Sequence, residues 1–148
     1  SAASDVYKRQ IKNLELKPHP EGGWYTETLP SFYEDNTRAP ASAIYFLLKE
    51  GETAHWHRIT DAVEVWSWHA GSSLSLYSRQ SRKNAVQITT LGMDIAKGQR
   101  PQAIIPAGTW QSASANEGWV LASNIVAPGF DFNSLELAPI GFEPGFGI

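Results

Sequence analysis

Between Gly51 and Gly71 the chain reads GETAHWHRITDAVEVWSWHAG. Two glycines here frame three of the four histidines, three of the six tryptophans and Glu64. Alternate residues of a strand face the same side. A strand through His55 and His57 therefore presents both imidazoles together, and a second strand presents Glu64, Trp66 and Trp68 on one face. Thr60 and Asp61 lie between them and can turn the chain. Two adjacent strands would thus aim imidazoles and a carboxylate into one space, a grouping suited to holding a metal ion or moving protons. The bland alternative is that each histidine is a structural strand residue.

Other stretches carry weaker chemical signals. His19-Pro20-Glu21-Gly22-Gly23 reads as a tight entry turn. Alternatively, its Gly-Gly backbone lets a ligand approach closely, with Glu21 or Glu27 beside it. Trp66, Trp68, Trp110 and Phe132 offer flat faces for a sugar or a base, or ordinary barrel core. The basic run from Arg79 to Asn84 reads as a solvated hairpin tip, with phosphate binding as the lesser option.

The elements that must position these groups are mostly short strands. Ser4 can cap an N-terminal helix bearing Val6, Tyr7, Ile11 and Leu14 near one face, and Pro18 ends it. Strand patterns follow at Trp24–Leu29, Ser42–Leu48, the two halves of the histidine stretch, Leu74–Ser78 and Val86–Leu91. More come at Gln102–Ile105, from Trp110, and at Trp119–Val126, with a last extended piece in FDFNSLEL. Pro30 to Pro40 reads as a polar loop. Some ten short strands separated by turn signals predict an all-β sandwich or barrel. The expected organisation is one domain over 1–148, with a helical segment at 1–18, a barrel at 19–138 and a Pro/Gly-rich tail at 139–148.

Composition narrows the function classes. The chain has 148 residues, a net charge of −3 and no cysteine. Disulfides and thiolate metal sites are thereby excluded, and a general affinity for nucleic acid polymers is not implied. No apolar run approaches a membrane span, and SAASDVYKRQ lacks the apolar centre of a secretion signal. The expectation is a cytoplasmic protein with a small-molecule partner, no nucleic acid and no membrane.

Five motifs together resemble one family. HPEGGWYTET, HWHR, EVWSWHAG, PAGTWQSA and VAPGFDFNSLELAP occur in order over most of the chain. They resemble the domain-of-unknown-function branch of the cupins. Gly51 to Gly71 is similar to the first cupin motif, and Gly98 to Gln111 to the second. The resemblance implies a jelly-roll barrel (the double-stranded β-helix), usually as a homodimer, and leaves the reaction open. Carried over residue by residue, the cupin metal set would be His55, His57, Glu64 and Gln111. Gln111 stands where the second motif usually has a histidine, and an amide oxygen is a poor ligand for zinc or iron. A divalent metal is therefore an option but not required.

Similar jelly rolls without metal include nucleotide-sugar epimerases of the rhamnose pathway, which pair a histidine base with a tyrosine acid. That likeness implies His57 as base, with Tyr45, Tyr77 or Tyr25 as acid, and Glu64 completes the catalytic set. Trp66, Trp68, Gln111, Phe132 and Glu21 are the expected ligand contacts. Three classes stand side by side: a metal-independent epimerase or isomerase on a sugar or nucleotide sugar, a metal-dependent cupin enzyme such as a dioxygenase or isomerase, and a binding protein without turnover.

Overall fold

The computed structural model describes residues 2–81 and 83–139. Arg82 of the basic tip, and the tail beyond Pro139, lie outside the described residues. The order begins with helix α1 (Ala2–Asn13) and continues through β1 (Lys17–Pro18), β2 (Trp24–Leu29), β3 (Ser42–Leu48), β4 (Thr53–Ile59), β5 (Val63–Gly71) and β6 (Leu74–Arg79). Then come β7 (Gln87–Leu91), β8 (Gln102–Ile105), β9 (Trp110–Ser114), β10 (Val120–Ala127) and β11 (Leu135–Leu137). Ser4 falls inside the helix, which starts at Ala2, so it is not the cap the sequence suggested. Phe132–Ser134 forms a short 3-10 turn rather than extended chain, because the Asp131 side chain accepts from the Asn133 amide and closes an Asx turn.

The strands make two antiparallel sheets. One has six strands in the order β1-β2-β3-β10-β5-β8, the other five in the order β11-β4-β9-β6-β7. Such an all-β double sheet with one short helix is the jelly roll expected from the sequence. The chain crosses from one sheet to the other between β4 and β5. Its turn is clamped where both Arg38 Nη atoms donate to the Asp61 carboxylate, at 2.8 and 3.1 Å, while Arg38 Nε donates to Gly129 O at 2.6 Å. β4 and β5 are therefore not neighbours in one sheet. They face each other across the interior.

Alternation decides what each strand sends inward. In the six-stranded sheet one register row joins Asn124 to Ile44 and Trp66, and Trp66 to Ala103. The next row joins Val126 to Ser42 and Glu64, and Glu64 to Ile105. Leucine, alanine and aromatic side chains close one half of the space between the sheets, with Phe46, Leu48, Trp66, Leu76, Ala113 and Val120 in a single buried cluster. The other half holds only a small cluster of Ile59, Ala62 and Val126 with Phe130 against it. Polar side chains fill the wall between them, and a cavity remains.

The glycines of HPEGG serve the packing of this wall. Gly22 has φ +105°, and a Cβ there would run into the backbone carbonyl of Thr53. The backbone is drawn that close because His55 N donates to Glu21 O at 2.8 Å. The close approach permitted by Gly22 is thus to strand β4. Gly51 also has a positive φ, +83°, but a Cβ there would meet nothing within 4 Å. Gly51→Ala should therefore cost only left-handed backbone strain, ~1–2 kcal/mol. Gly22→Ala should cost clearly more, and urea denaturation of the two variants measures the difference.

Candidate functional site

The cavity has a volume of about 280 Å³ and is lined by groups from both sheets. The six-stranded sheet supplies Glu64 and Trp66 from β5, Asn124 from β10, and Tyr25 and Glu27 from β2. The five-stranded sheet supplies His57 and Ile59 from β4. The turn before β2 adds His19 and Glu21, and the segment after β10 adds Phe130 and Phe132.

His57 is 3% exposed. Its Nδ1 lies 2.7 Å from the carbonyl oxygen of His55 and 3.3 Å from Glu21 Oε2. A carbonyl only accepts, so Nδ1 carries the proton and Nε2 keeps the lone pair. Burial holds His57 below the usual imidazole range, against the opposing pull of Glu64 and the His55 carbonyl. His19 has the other tautomer. Its Nδ1 accepts from the Glu21 amide at 3.0 Å, which leaves the proton on Nε2. Burial, with the nearby His57, lowers it to about 4.

The carboxyls move the opposite way. Burial pushes Glu21 up to about 8, against a smaller downward pull from His55. Glu64 is pushed up to about 7 by burial, with the neighbouring Glu21 adding to it and His57, Gln111 and Trp66 working against it. A cavity that holds two neutral imidazoles beside two carboxyls titrating near neutrality is equipped to take and give protons at pH 7.

Several expected site residues meet here. His57, Glu64, Glu21, Trp66 and Phe132 all line the cavity. Gln111 sits just behind the wall, opposite His57 in the β4–β9 pairing, where its Oε1 accepts from Trp66 Nε1 at 2.8 Å. It also hydrogen-bonds Glu64. Three expected residues are elsewhere. Tyr45 is on the outer face of β3, edge-on to His69 with ring centroids 6.3 Å apart, because its neighbours Ile44 and Phe46 take the inward positions. Tyr25 is the tyrosine that lines the cavity. Trp68 packs against the closed half of the core, and its Nε1 donates to Ser72 O at 2.8 Å.

His55 is the third, and the reason is one extra residue. β4 pairs Ala54 with Ala113 and next His57 with Gln111, so three steps on β4 match two on β9. Such a bulge reverses the alternation. Ala54, His57 and Ile59 are buried, and His55 leaves their face. Its Nε2 donates to Ala138 O at 2.6 Å. The quartet His55, His57, Glu64 and Gln111 is therefore not assembled. The Gln111 oxygen is already bonded to Trp66, and among the described residues no three His, Asp or Glu side chains converge as a metal site. This donor set does not fit the cupin metal, and no chemistry is derived through one.

Sequence reasoning missed Asn124 and gave His19 no chemical role. Asn124 had a legible signal: it shares the inward parity of Val120, Ala122 and Val126 on an otherwise apolar strand. His19 had none beyond its place beside Glu21.

The buried groups give folding a definite pH dependence. Glu21 and Glu64 have raised folded values, so the stability they contribute is full below about 4.5 and is lost as pH rises through about 7 and 8. His19 and His57 have lowered folded values, so theirs is full above about 6.5 and is lost on acidification, for His19 through about 4. Between about 4.5 and 6.5 the two trends oppose each other. The melting temperature should be nearly level there and fall from pH 6.5 to pH 8. Glu21→Gln should remove much of that alkaline fall, which thermal melts across the pH range will measure.

Residues 8–138 match the family described as "Cupin superfamily (DUF985)". Protein SO0799 from Shewanella oneidensis is 41% identical, with a TM-score of 0.80 over 88% of this chain and 83% of that one. A hypothetical protein from Leishmania major is 30% identical, with a TM-score of 0.78 over 90% and 88%. At 15% identity and a TM-score of 0.64, the capsular polysaccharide assembling protein CapF from Staphylococcus aureus shares the fold over 82% of this chain and 33% of its own. Among curated proteins none matches. No helix among the described residues is long and apolar enough to cross a membrane. With most of its length matched and its five motifs in order, the chain belongs to the cupin superfamily, in the DUF985 family.

Proposed function

We propose that this cupin is a metal-independent isomerase or epimerase acting on a small, sugar-sized carbonyl compound, with His57 and Glu64 as its acid–base pair. The observation that carries the reading is the pairing of these two groups across the barrel. Both are buried at one cavity, with His57 lowered and Glu64 raised to about 7. His57 Nε2 takes the proton from the carbon next to the carbonyl. The protonated Glu64 carboxyl gives its proton to the carbonyl oxygen, forming an enediol. The His57 imidazolium then gives its proton to the former carbonyl carbon, while the Glu64 carboxylate takes the proton of the neighbouring hydroxyl. This moves the carbonyl and completes the isomerisation; epimerisation needs the enediol reprotonated from its opposite face by a second cavity group.

Size and charge favour a simple sugar over a nucleotide sugar. About 280 Å³ is just below the range for small-molecule sites, roughly 300–1,000 Å³. No lysine or arginine stands among the described lining residues, so a diphosphate would have no cationic partner inside.

The test is exchange of the carbon-bound proton with D2O, followed by proton NMR over a panel of aldoses and ketoses. At least one should exchange. His57→Ala and Glu64→Gln should each slow that exchange about 10²–10⁴-fold. Tyr45→Phe should leave it unchanged, and the rate should fall as pH rises above about 7, where Glu64 loses its proton. Binding without exchange in the wild type would make this a binding protein instead.

A homodimer is proposed alongside. Leu29, Ile125 and Ile104 are 48%, 41% and 53% exposed, and they lie in one register row with Ala43 and Val65. An apolar row of this kind is ready for a partner surface. Sedimentation velocity should give twice the chain mass, and Ile125→Lys should yield monomer.

A further inference from the structure

Asn124 carries an unanswered polar atom at the cavity wall. The residue is 4% exposed and inward on β10. Its Nδ2 faces Glu64 Oε2 at 3.4 Å, the orientation that lets the NH2 donate to the carboxyl oxygen. The Oδ1 that remains has no hydrogen-bond partner among the described residues. A buried acceptor without a donor is costly and rare. A donor brought into the cavity would satisfy it.

The rest of the wall says which donor. Glu21, Glu27 and Glu64 are carboxyls, and His57 presents a lone pair. No described lining residue is a lysine or arginine. Tyr25, Phe46 and Trp66 add aromatic rings, whose faces attract cations. An anionic ligand would meet three carboxyls and no cationic side chain among the described lining residues. A neutral polyol would answer Asn124 but gain nothing from the carboxyls' charge. A protonated amine supplies three donors and a positive charge that stabilises whatever negative charge the carboxyls carry.

We propose that the cavity binds an amine-bearing ligand, an amino sugar or similar compound, whose ammonium group donates to the Asn124 amide oxygen within the ring of cavity carboxyls. The proposal rests on the cavity being the ligand site and deepens that reading by naming the substrate class.

Cyclohexylamine and cyclohexanol, matched in shape and differing in charge and donor count, are the probes. They are titrated into the full chain at pH 7 and followed by calorimetry and by the carbon-13 signal of the Asn124 amide. The amine should bind about tenfold or more tightly than the alcohol. The amide signal should move with the amine, and Asn124→Ala and Glu64→Gln should each shrink the preference. The wild-type ratio and the amide signal need no variant, so they decide even if Asn124→Ala does not fold. Equal or tighter binding of cyclohexanol, or a preference unchanged in both variants, overturns the amine proposal and leaves the acid–base reading standing. Manganese chloride outcompeting the amine assigns these acceptors to a metal ion and overturns it too. Failure of every probe to bind overturns the proposal and the cavity reading together.

Discussion

Desolvation without a counter-charge is the constraint on which this structure turns. Two carboxyls and two imidazoles are buried between two sheets, and no lysine or arginine lines their cavity. Ionised carboxylates in such a place are expensive, so the carboxyls rise to about 7 and 8 and the imidazoles fall. Burial thus favours the neutral form of every one of these groups. The closed half of the barrel makes this possible. Phe46, Leu48, Leu76 and Val120 fill it without polar atoms. Their burial offsets a polar half that contributes little hydrophobic stabilisation.

Second-layer contacts keep these groups usable. The His55 carbonyl fixes the tautomer of His57, so the basic nitrogen is Nε2. Gln111 holds Trp66 with its oxygen and Glu64 with its amide group. A histidine in its place would not offer a donor and an acceptor in the same spacing. In the general cupin pattern this position is a metal ligand. Here its hydrogen bonds to Trp66 and Glu64 organise the cavity wall.

Much of the architecture was legible because alternation is a local property. Ser42–Leu48 and Gln102–Ile105 were read to the residue, and Glu64 and Trp66 were read onto one face of their strand. The resemblance of the five motifs then supplied the jelly roll that alternation alone left as a sandwich or a barrel. His55 failed for a reason no local pattern holds. The bulge after Ala54 arises from how β4 pairs with β9, and a single extra residue turns every later side chain over. Tyr45 failed more simply. Its neighbours Ile44 and Phe46 claim the interior, so alternation itself could have placed it outside. The likeness to enzymes that use a tyrosine acid outweighed the strand's own pattern.

The same bulge has a functional consequence. Without it, His55 and His57 would share one face of β4, as simple alternation implies. With it, His57 alone faces the cavity, and His55 ties the chain beyond β11 through Ala138. The displaced imidazole is replaced by Glu21, whose loop is drawn against β4 by the hydrogen bond from His55 N to Glu21 O. Gly22 permits that approach. One extra residue thus separates His55 from His57 and leaves His57 at the cavity with His19, Glu21 and Glu64.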